Sequence, residues 1–214
     1  IITFLGVAPC FDLFVDGKYV GYSEGSHNTS EFDITPFLAG GENEVIAVVH
    51  KWCNGTYLEA QDMFRNNGIF RDVFITKTSR NSIYDFEART QHNSDGTYLL
   101  DVLPVFKICD EVCFSAAVKD GENVLAEKSI NVCPGKVDKI TFDVLDVLEW
   151  SAETPKLYDL ILSLSVNGEV CEIIRKRIGF KHVEINRNVF YFNNKKIKLL
   201  GVNHHDTNPK TGYV

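Results

Sequence analysis

Five dipeptides that favour a tight reversal divide this chain, and the segments between them alternate apolar and polar residues. They are Asp16-Gly17, Asp95-Gly96, Asp120-Gly121, Asn167-Gly168 and Asn193-Asn194. A two-residue hairpin loop matches the twist of its strands when its central residues take positive φ, which Asn, Asp and Gly tolerate. Each dipeptide therefore predicts a β-hairpin. Period two is clearest at Tyr158, Leu160, Leu162, Leu164 and Val166, which put one continuous apolar face on one side of a strand. No window carries a helical period. One short helical turn is expected over "DITPFLAGG", with Thr35 as its cap, Pro36 in its first turn and Gly40 after its end. A strand face patterned this way must be covered by a second sheet, so the chain is expected to be all-β and built from sandwiches.

Breaks in the pattern suggest an organisation. "TKTSRNS" separates two strand-rich regions near Ser79, and a second break follows "RIGFKHV" near Val183. Residues 80–183 then have the size and the roughly seven strands of an immunoglobulin-like sandwich. Residues 1–79 read as an earlier, incomplete sandwich, because the chain opens mid-strand with no starting Met. Residues 184–214 begin something further and stop just after "LLGVNHHDTNP". The expectation is a piece of a longer protein, trimmed at both ends.

Composition excludes some partners. Apolar residues make up 44% and charged residues 24%, ordinary for a globular chain, while the net charge of −7 opposes nucleic acid and anionic membrane. The basic stretches "RKR" at 175–177 and "NNKKIK" at 193–198 read as solvated strand faces. No apolar run is long enough to span a membrane, and the first residues lack the basic region of a signal peptide. The six cysteines are scattered apart from Cys109 and Cys113, and they read as buried free thiols. That favours a reducing, cytoplasmic setting and leaves the sequons at Asn28 and Asn54 as chance matches. No metal site is expected, since His204, His205 and Asp206 would diverge along a strand.

Charges interrupt one apolar region. Asp62, Arg65, Arg71 and Asp72 lie among Met63, Phe64, Phe70, Val73 and Phe74. Buried charges must be paired or hydrogen-bonded, so these four read as a structural polar network. Direct catalysis by Arg71 or Asp72 is the sharper alternative.

This region, "LEAQDMFRNNGIFRDVFI", resembles glycoside hydrolase family 2, and within it the large β-galactosidases. Gly21-Tyr22 followed by "SEFD" at 30–33 resembles that family's jelly-roll sugar-binding domain, and "EWSAETPKLYDL" the end of its immunoglobulin-like domain. "IGFKHVEINRNVFYFNNKKIKLLGVNHHDTNP" resembles the passage into its catalytic (β/α)₈ barrel. The resemblance implies an incomplete jelly roll over 1–79, an immunoglobulin-like sandwich over 80–183, and over 184–214 the first strand of a truncated barrel. A barrel of about 250 residues carries the family's two catalytic glutamates, so they fall beyond residue 214 and this stretch alone is expected to be inactive. "KLLGVNHH" would be the first barrel strand, with Asn203 and His205 on one face and His205 matching the histidine that contacts galactosyl hydroxyls. His204 stands where the family often has arginine. Mg²⁺ is implied in the missing barrel, and the parent is implied to be a homo-oligomer acting on a galactoside. A family aspartate that touches sugar and sodium is replaced here by Gly25, which puts sodium dependence in question. A β-glucuronidase or β-mannosidase of the same family, or a free-standing binding module, are the alternatives.

Overall fold

The structure is a computed structural model of the 214-residue chain that describes residues 1–59, 66–136, 139–204, 207–210 and 212–213. It divides into two compact units, Ile1–Lys77 together with Gly201–Val214, and Thr78–Leu200.

The first unit is built from short strands. They are β1 (Ile2–Phe4), β2 (Val7–Ala8), β3 (Cys10–Val15), β4 (Lys18–Glu24), β5 (Ser30–Phe32), β6 (Val45–His50), β7 (Gly68–Ile69) and β8 (Val73–Ile75). They pair antiparallel in the orders β5-β1-β8, β4-β3-β6 and β2-β7. The turn from β3 to β4 is made by Asp16 at φ 48° and Gly17 at φ 72°, the positive-φ pair that the dipeptide predicts. Alternation on β3 drives Phe11, Leu13 and Val15 into a core with Ile2, Phe4, Val7 and Ile34. The rings of Phe4 and Phe11 stand 4.6 Å apart, and Phe32 meets Phe11 edge-on at 5.8 Å. Gly21 has a packing reason: a Cβ there would lie 2.8 Å from the Phe32 ring. Val45, Ile69, Val73, Phe74 and Ile75 stay exposed on β6, β7 and β8.

Two local expectations need correction. The helical turn forms as a 3₁₀ segment over Thr35–Phe37, but Ile34 and not Thr35 holds the cap position, and Asp33 accepts the Thr35 N–H at 3.0 Å. An α-helix over Gly55–Glu59 (α1) also forms, where no helix was expected. Five residues are too few to display a helical period. The Thr56 hydroxyl accepts the Cys53 N–H at 3.0 Å ahead of its first turn.

The second unit is a sandwich of a three-stranded and a four-stranded sheet. Its strands are β9 (Ser82–His92), β10 (Tyr98–Lys107), β11 (Val112–Asp120), β12 (Asn123–Val132), β13 (Ile140–Leu145), β14 (Tyr158–Val166) and β15 (Glu169–Ile178), in the orders β13-β10-β9 and β12-β11-β14-β15. Tyr158, Leu160, Leu162 and Leu164 are buried as the alternation requires, against Leu100, Val102, Phe114, Ala116, Val118 and Phe142. The stretch "EWSAETPKLYDL" is explained by contacts at one end of this core. Glu149 accepts the Tyr98 hydroxyl at 2.9 Å, the Tyr158 hydroxyl accepts the Leu148 N–H at 2.9 Å, and Lys156 pairs with Asp120 at 2.6 Å.

A meander of β16 (Val183–Asn186), β17 (Val189–Phe192) and β18 (Lys195–Lys196) continues this unit. Its second turn uses Asn193 and Asn194 at φ 47° and 61°; its first uses Arg187 and Asn188 at φ 47° and 64°, a pair the sequence pattern did not flag. Asn193 ties the meander down by donating to the Trp150 carbonyl at 3.0 Å and accepting the His182 N–H at 2.9 Å. Residues 198–204, expected as a barrel strand, carry no strand pairing, and Leu199, Leu200 and Val202 are 75, 87 and 91% exposed. A barrel strand is parallel and hydrogen-bonded on both edges, and no described strand lies beside this one to supply those bonds. Thr207–Asn208 and Gly212–Tyr213 pair as a short terminal hairpin (β19, β20).

Thiol burial also departs from expectation. Cys10 is buried, Cys53, Cys113 and Cys133 are half-buried, Cys109 and Cys171 are exposed, and all six are free. Cys109 lies in the connection between β10 and β11, and Cys171 lies in β15 on the edge of its sheet.

Candidate functional site

The polar groups of the first unit converge on the loop between β4 and β5. Gly25 opens it at φ 105°, a conformation that L-residues rarely adopt, and its N–H donates to the Pro9 carbonyl at 3.3 Å. The Asn28 N–H closes a turn onto the Gly25 carbonyl at 3.0 Å. Inside the turn Ser26 is buried and bound by Glu59 of α1. The Ser26 hydroxyl donates to Glu59 Oε2 at 2.5 Å, and its N–H reaches the two carboxylate oxygens at 3.3 and 3.4 Å. A helix too short to announce itself thus supplies the carboxylate that shapes the loop. Ser26 and Glu59 were missed because nothing in a sequence links positions 33 residues apart.

A second clamp comes from the other side. The Arg71 guanidinium donates to the carbonyls of Leu5 and His27, each at 3.4 Å, and lies over the Phe70 ring at 5.3 Å. That ring meets the His27 imidazole edge-on at 5.3 Å, and a Cβ on Gly6 would come within 2.8 Å of it. Asp72 is exposed, and its backbone carbonyl accepts the Leu5 N–H at 3.1 Å. Among the four charges read as a network, Arg71 binds the loop backbone and Asp72 contributes main chain. Asp62 and Arg65 lie outside the described residues.

Beside the loop, the Tyr22 hydroxyl donates to Glu24 Oε2 at 2.9 Å. The Tyr22 phenol is pushed well above its ordinary range, first by its hydrogen bond to the Cys10 thiol, then by burial and by Glu24. Burial likewise raises the Cys10 thiol, with the Tyr22 hydrogen bond opposing it. Asp12 and His50 pair across β3 and β6 at 2.7 Å. Gly25 offers no carboxylate, while Glu24 accepts from Tyr22 and Glu59 from Ser26. No group of three His, Cys, Asp or Glu suited to a metal occurs among the described residues.

The chain's last stretch is less assembled. Asn203 and His204 are exposed, and His205 lies outside the described residues. No helix among the described residues is long and apolar enough to cross a membrane.

Comparison with known proteins agrees with this architecture. Residues 1–79 match the sugar binding domain of glycosyl hydrolases family 2, and residues 69–181 match a second model of glycosyl hydrolases family 2. The β-galactosidase of Actinobacillus pleuropneumoniae is 39% identical over 215 residues, covering 100% of this chain and 20% of the relative. That of Staphylococcus xylosus is 37% identical with the same coverage. The chain thus spans about a fifth of the length of the curated relatives it matches. Among solved structures, a β-glucuronidase of Bacteroides uniformis superposes with a TM-score of 0.83 over 99% of this chain and 28% of its own, at 20% identity. A β-glycosidase of Bacteroides vulgatus gives 0.79 over 94% of this chain and 26% of its own, at 19% identity. At such identities the likeness concerns the fold alone. With one family model spanning more than half its residues, the chain belongs to glycosyl hydrolases family 2 and carries that family's N-terminal β-sandwich domains.

Proposed function

We propose that this chain is the non-catalytic front part of a retaining β-galactosidase that hydrolyses terminal non-reducing β-D-galactose residues. The observation that carries the reading is the alignment, across the whole chain, with relatives named β-galactosidase at 39% and 37% identity. Retaining hydrolysis needs two carboxylates about 5 Å apart, one as nucleophile and one as acid/base. In the first unit Glu59 is engaged by Ser26, Glu24 by Tyr22 and Asp12 by His50. The chain spans about a fifth of its relatives, and the chemistry is assigned to a barrel in the remainder of the parent.

In this reading residues 1–79 act as the jelly-roll sugar-binding domain, 80–183 as the immunoglobulin-like spacer, and 184–214 as the lead into the barrel. Asn203 and His205 meet the galactosyl ring there. Mg²⁺ is held in the barrel, sodium has no carboxylate at Gly25, and the parent works as a cytoplasmic homo-oligomer.

The test is to express the parent's full reading frame beside the 214-residue chain and assay both on chromogenic β-D-galactoside, β-D-glucuronide and β-D-mannoside. The parent should prefer the galactoside, and the short chain should turn over none. A parent selective for glucuronide or mannoside refutes the substrate. Turnover by the purified short chain refutes the assignment of chemistry to the barrel.

A further inference from the structure

Two free thiols of the first unit, Cys10 and Cys53, have no part in that reading. Cys10 opens β3 and is 2% exposed, while Cys53 stands in the turn that leads from β6 into α1. The register pairs Cys10 with His50, so Cys53 lies just past the end of the same ladder. The Cys10 thiol reaches the Trp52 carbonyl at 3.9 Å, and the amide carbon of that carbonyl is bonded to the nitrogen of Cys53. Cys53 is close enough that its thiol adds to the upward push that burial gives the Cys10 thiol. Cys53 is half-buried, less enclosed than Cys10, and its Sγ sits 3.6 Å from the Thr56 hydroxyl.

We propose that Cys10 and Cys53 form a thiol–disulfide exchange site that reacts with low-molecular-weight disulfides and closes into an intramolecular disulfide. The more accessible thiol, Cys53, attacks first. As thiolate it bonds to one sulfur of the small disulfide, the S–S bond breaks, and one small thiolate leaves to take a proton from solvent. Cys10 then gives up its proton to solvent and attacks the Cys53 sulfur, expelling the second small thiolate. Two protein thiols are oxidised and one small disulfide is reduced to two thiols. Burial disfavours the Cys10 thiolate, and the Tyr22 hydroxyl stabilises it, so the second step is the slower one.

The bond would act on the loop described above. Cys53 precedes the helix that carries Glu59, and the N–H of Gly25 is hydrogen-bonded to Pro9, next to Cys10. Joining Cys10 to Cys53 braces both attachments of the Gly25–Ser26 turn. It also closes a long loop, which shrinks the unfolded ensemble most strongly. A midpoint rise of about 10 °C for the first unit is expected.

The experiment incubates the 214-residue chain with oxidised glutathione, quenches with acid, alkylates remaining thiols under denaturing conditions and maps peptides without reduction. A Cys10–Cys53 linked peptide should accumulate, vanish with dithiothreitol and accompany the rise in melting temperature. Cys53→Ser should leave Cys10 alkylatable and abolish the rise, and Cys53→Ala serves if that variant folds poorly. The proposal is overturned if Cys53 stays as a glutathione adduct beside a free Cys10, or if the chain remains reduced. Links from Cys53 to Cys109, Cys113, Cys133 or Cys171 instead, or a melting rise that survives in Cys53→Ser, overturn it equally.

Discussion

Replacing Gly25 by aspartate restores the side chain that the family resemblance expects in this loop, yet the backbone opposes it. Gly25 sits at φ 105°, and a Cβ placed there meets Asn28 Nδ2 at 2.8 Å, Cγ at 3.5 Å and Cβ at 3.7 Å. Holding a non-glycine residue in so sparse a region costs about 1–3 kcal/mol. The clash adds little, because the nearest atom is the end of an exposed amide that can rotate away. With about 2 kcal/mol lost, and roughly 4–8 °C per kcal/mol for a domain of this size, Gly25→Asp should lower the first unit's midpoint by about 8–16 °C. Calorimetry of the chain, with hydrogen exchange of the β3 and β4 amides to assign the transition, measures it. Gly25→Asn, which tolerates positive φ better, should lose less than Gly25→Ala. Adding Asn28→Ala to Gly25→Asp should recover only the small steric part. A Gly25→Asp chain that melts with the wild type would falsify the strain argument.

Other outcomes follow from the same contacts. Glu59→Gln keeps one acceptor for Ser26 but removes the charge, so it should cost about 1 kcal/mol and speed exchange of the Ser26 amide. Asp101 is held below the usual carboxylate range, first by the Thr141 hydroxyl and then by Lys139. Its stabilisation is present above about pH 4, the unfolded value, and is lost as pH falls through the depressed folded value. Asp101→Asn should therefore melt lower at neutral pH and lose less on acidification, read from the second unit's midpoint across pH. In the parent, His205→Ala should lower kcat/KM by roughly 10²-fold on a galactoside, about 3 kcal/mol, while His204→Ala acts on stability. Lost turnover in the His204 variant alone would reverse that assignment.

The second unit was the more legible. Its turns and alternation are local quantities, and Tyr158, Leu160, Leu162 and Leu164 fill its core as their spacing demands. Even there, the Arg187-Asn188 turn escaped notice, because arginine at positive φ is tolerated only when paired strands on both sides impose it. The loop of the first unit was legible only as a resemblance. Its parts are Ser26, Glu59 and the Phe70-Arg71 pair, drawn from three separate stretches of the chain, and no local pattern joins those stretches.

By itself the sequence determined the all-β class, the hairpins at Asp16-Gly17 and Asn167-Gly168, the buried face of β14 and the family. Each depends on a residue's own φ preference, on the period of two, or on motifs read in order. Tertiary structure alone decided that Arg71 grips loop carbonyls, that Glu59 holds Ser26, and that the Cys10 thiol reaches the Trp52 carbonyl, one peptide bond from Cys53. It also decided that residues 198–204 form no strand ladder, despite an apolar pattern suited to a strand. A strand is completed by its neighbours and a site by side chains distant in sequence, so both depend on contacts that form only once the chain has packed.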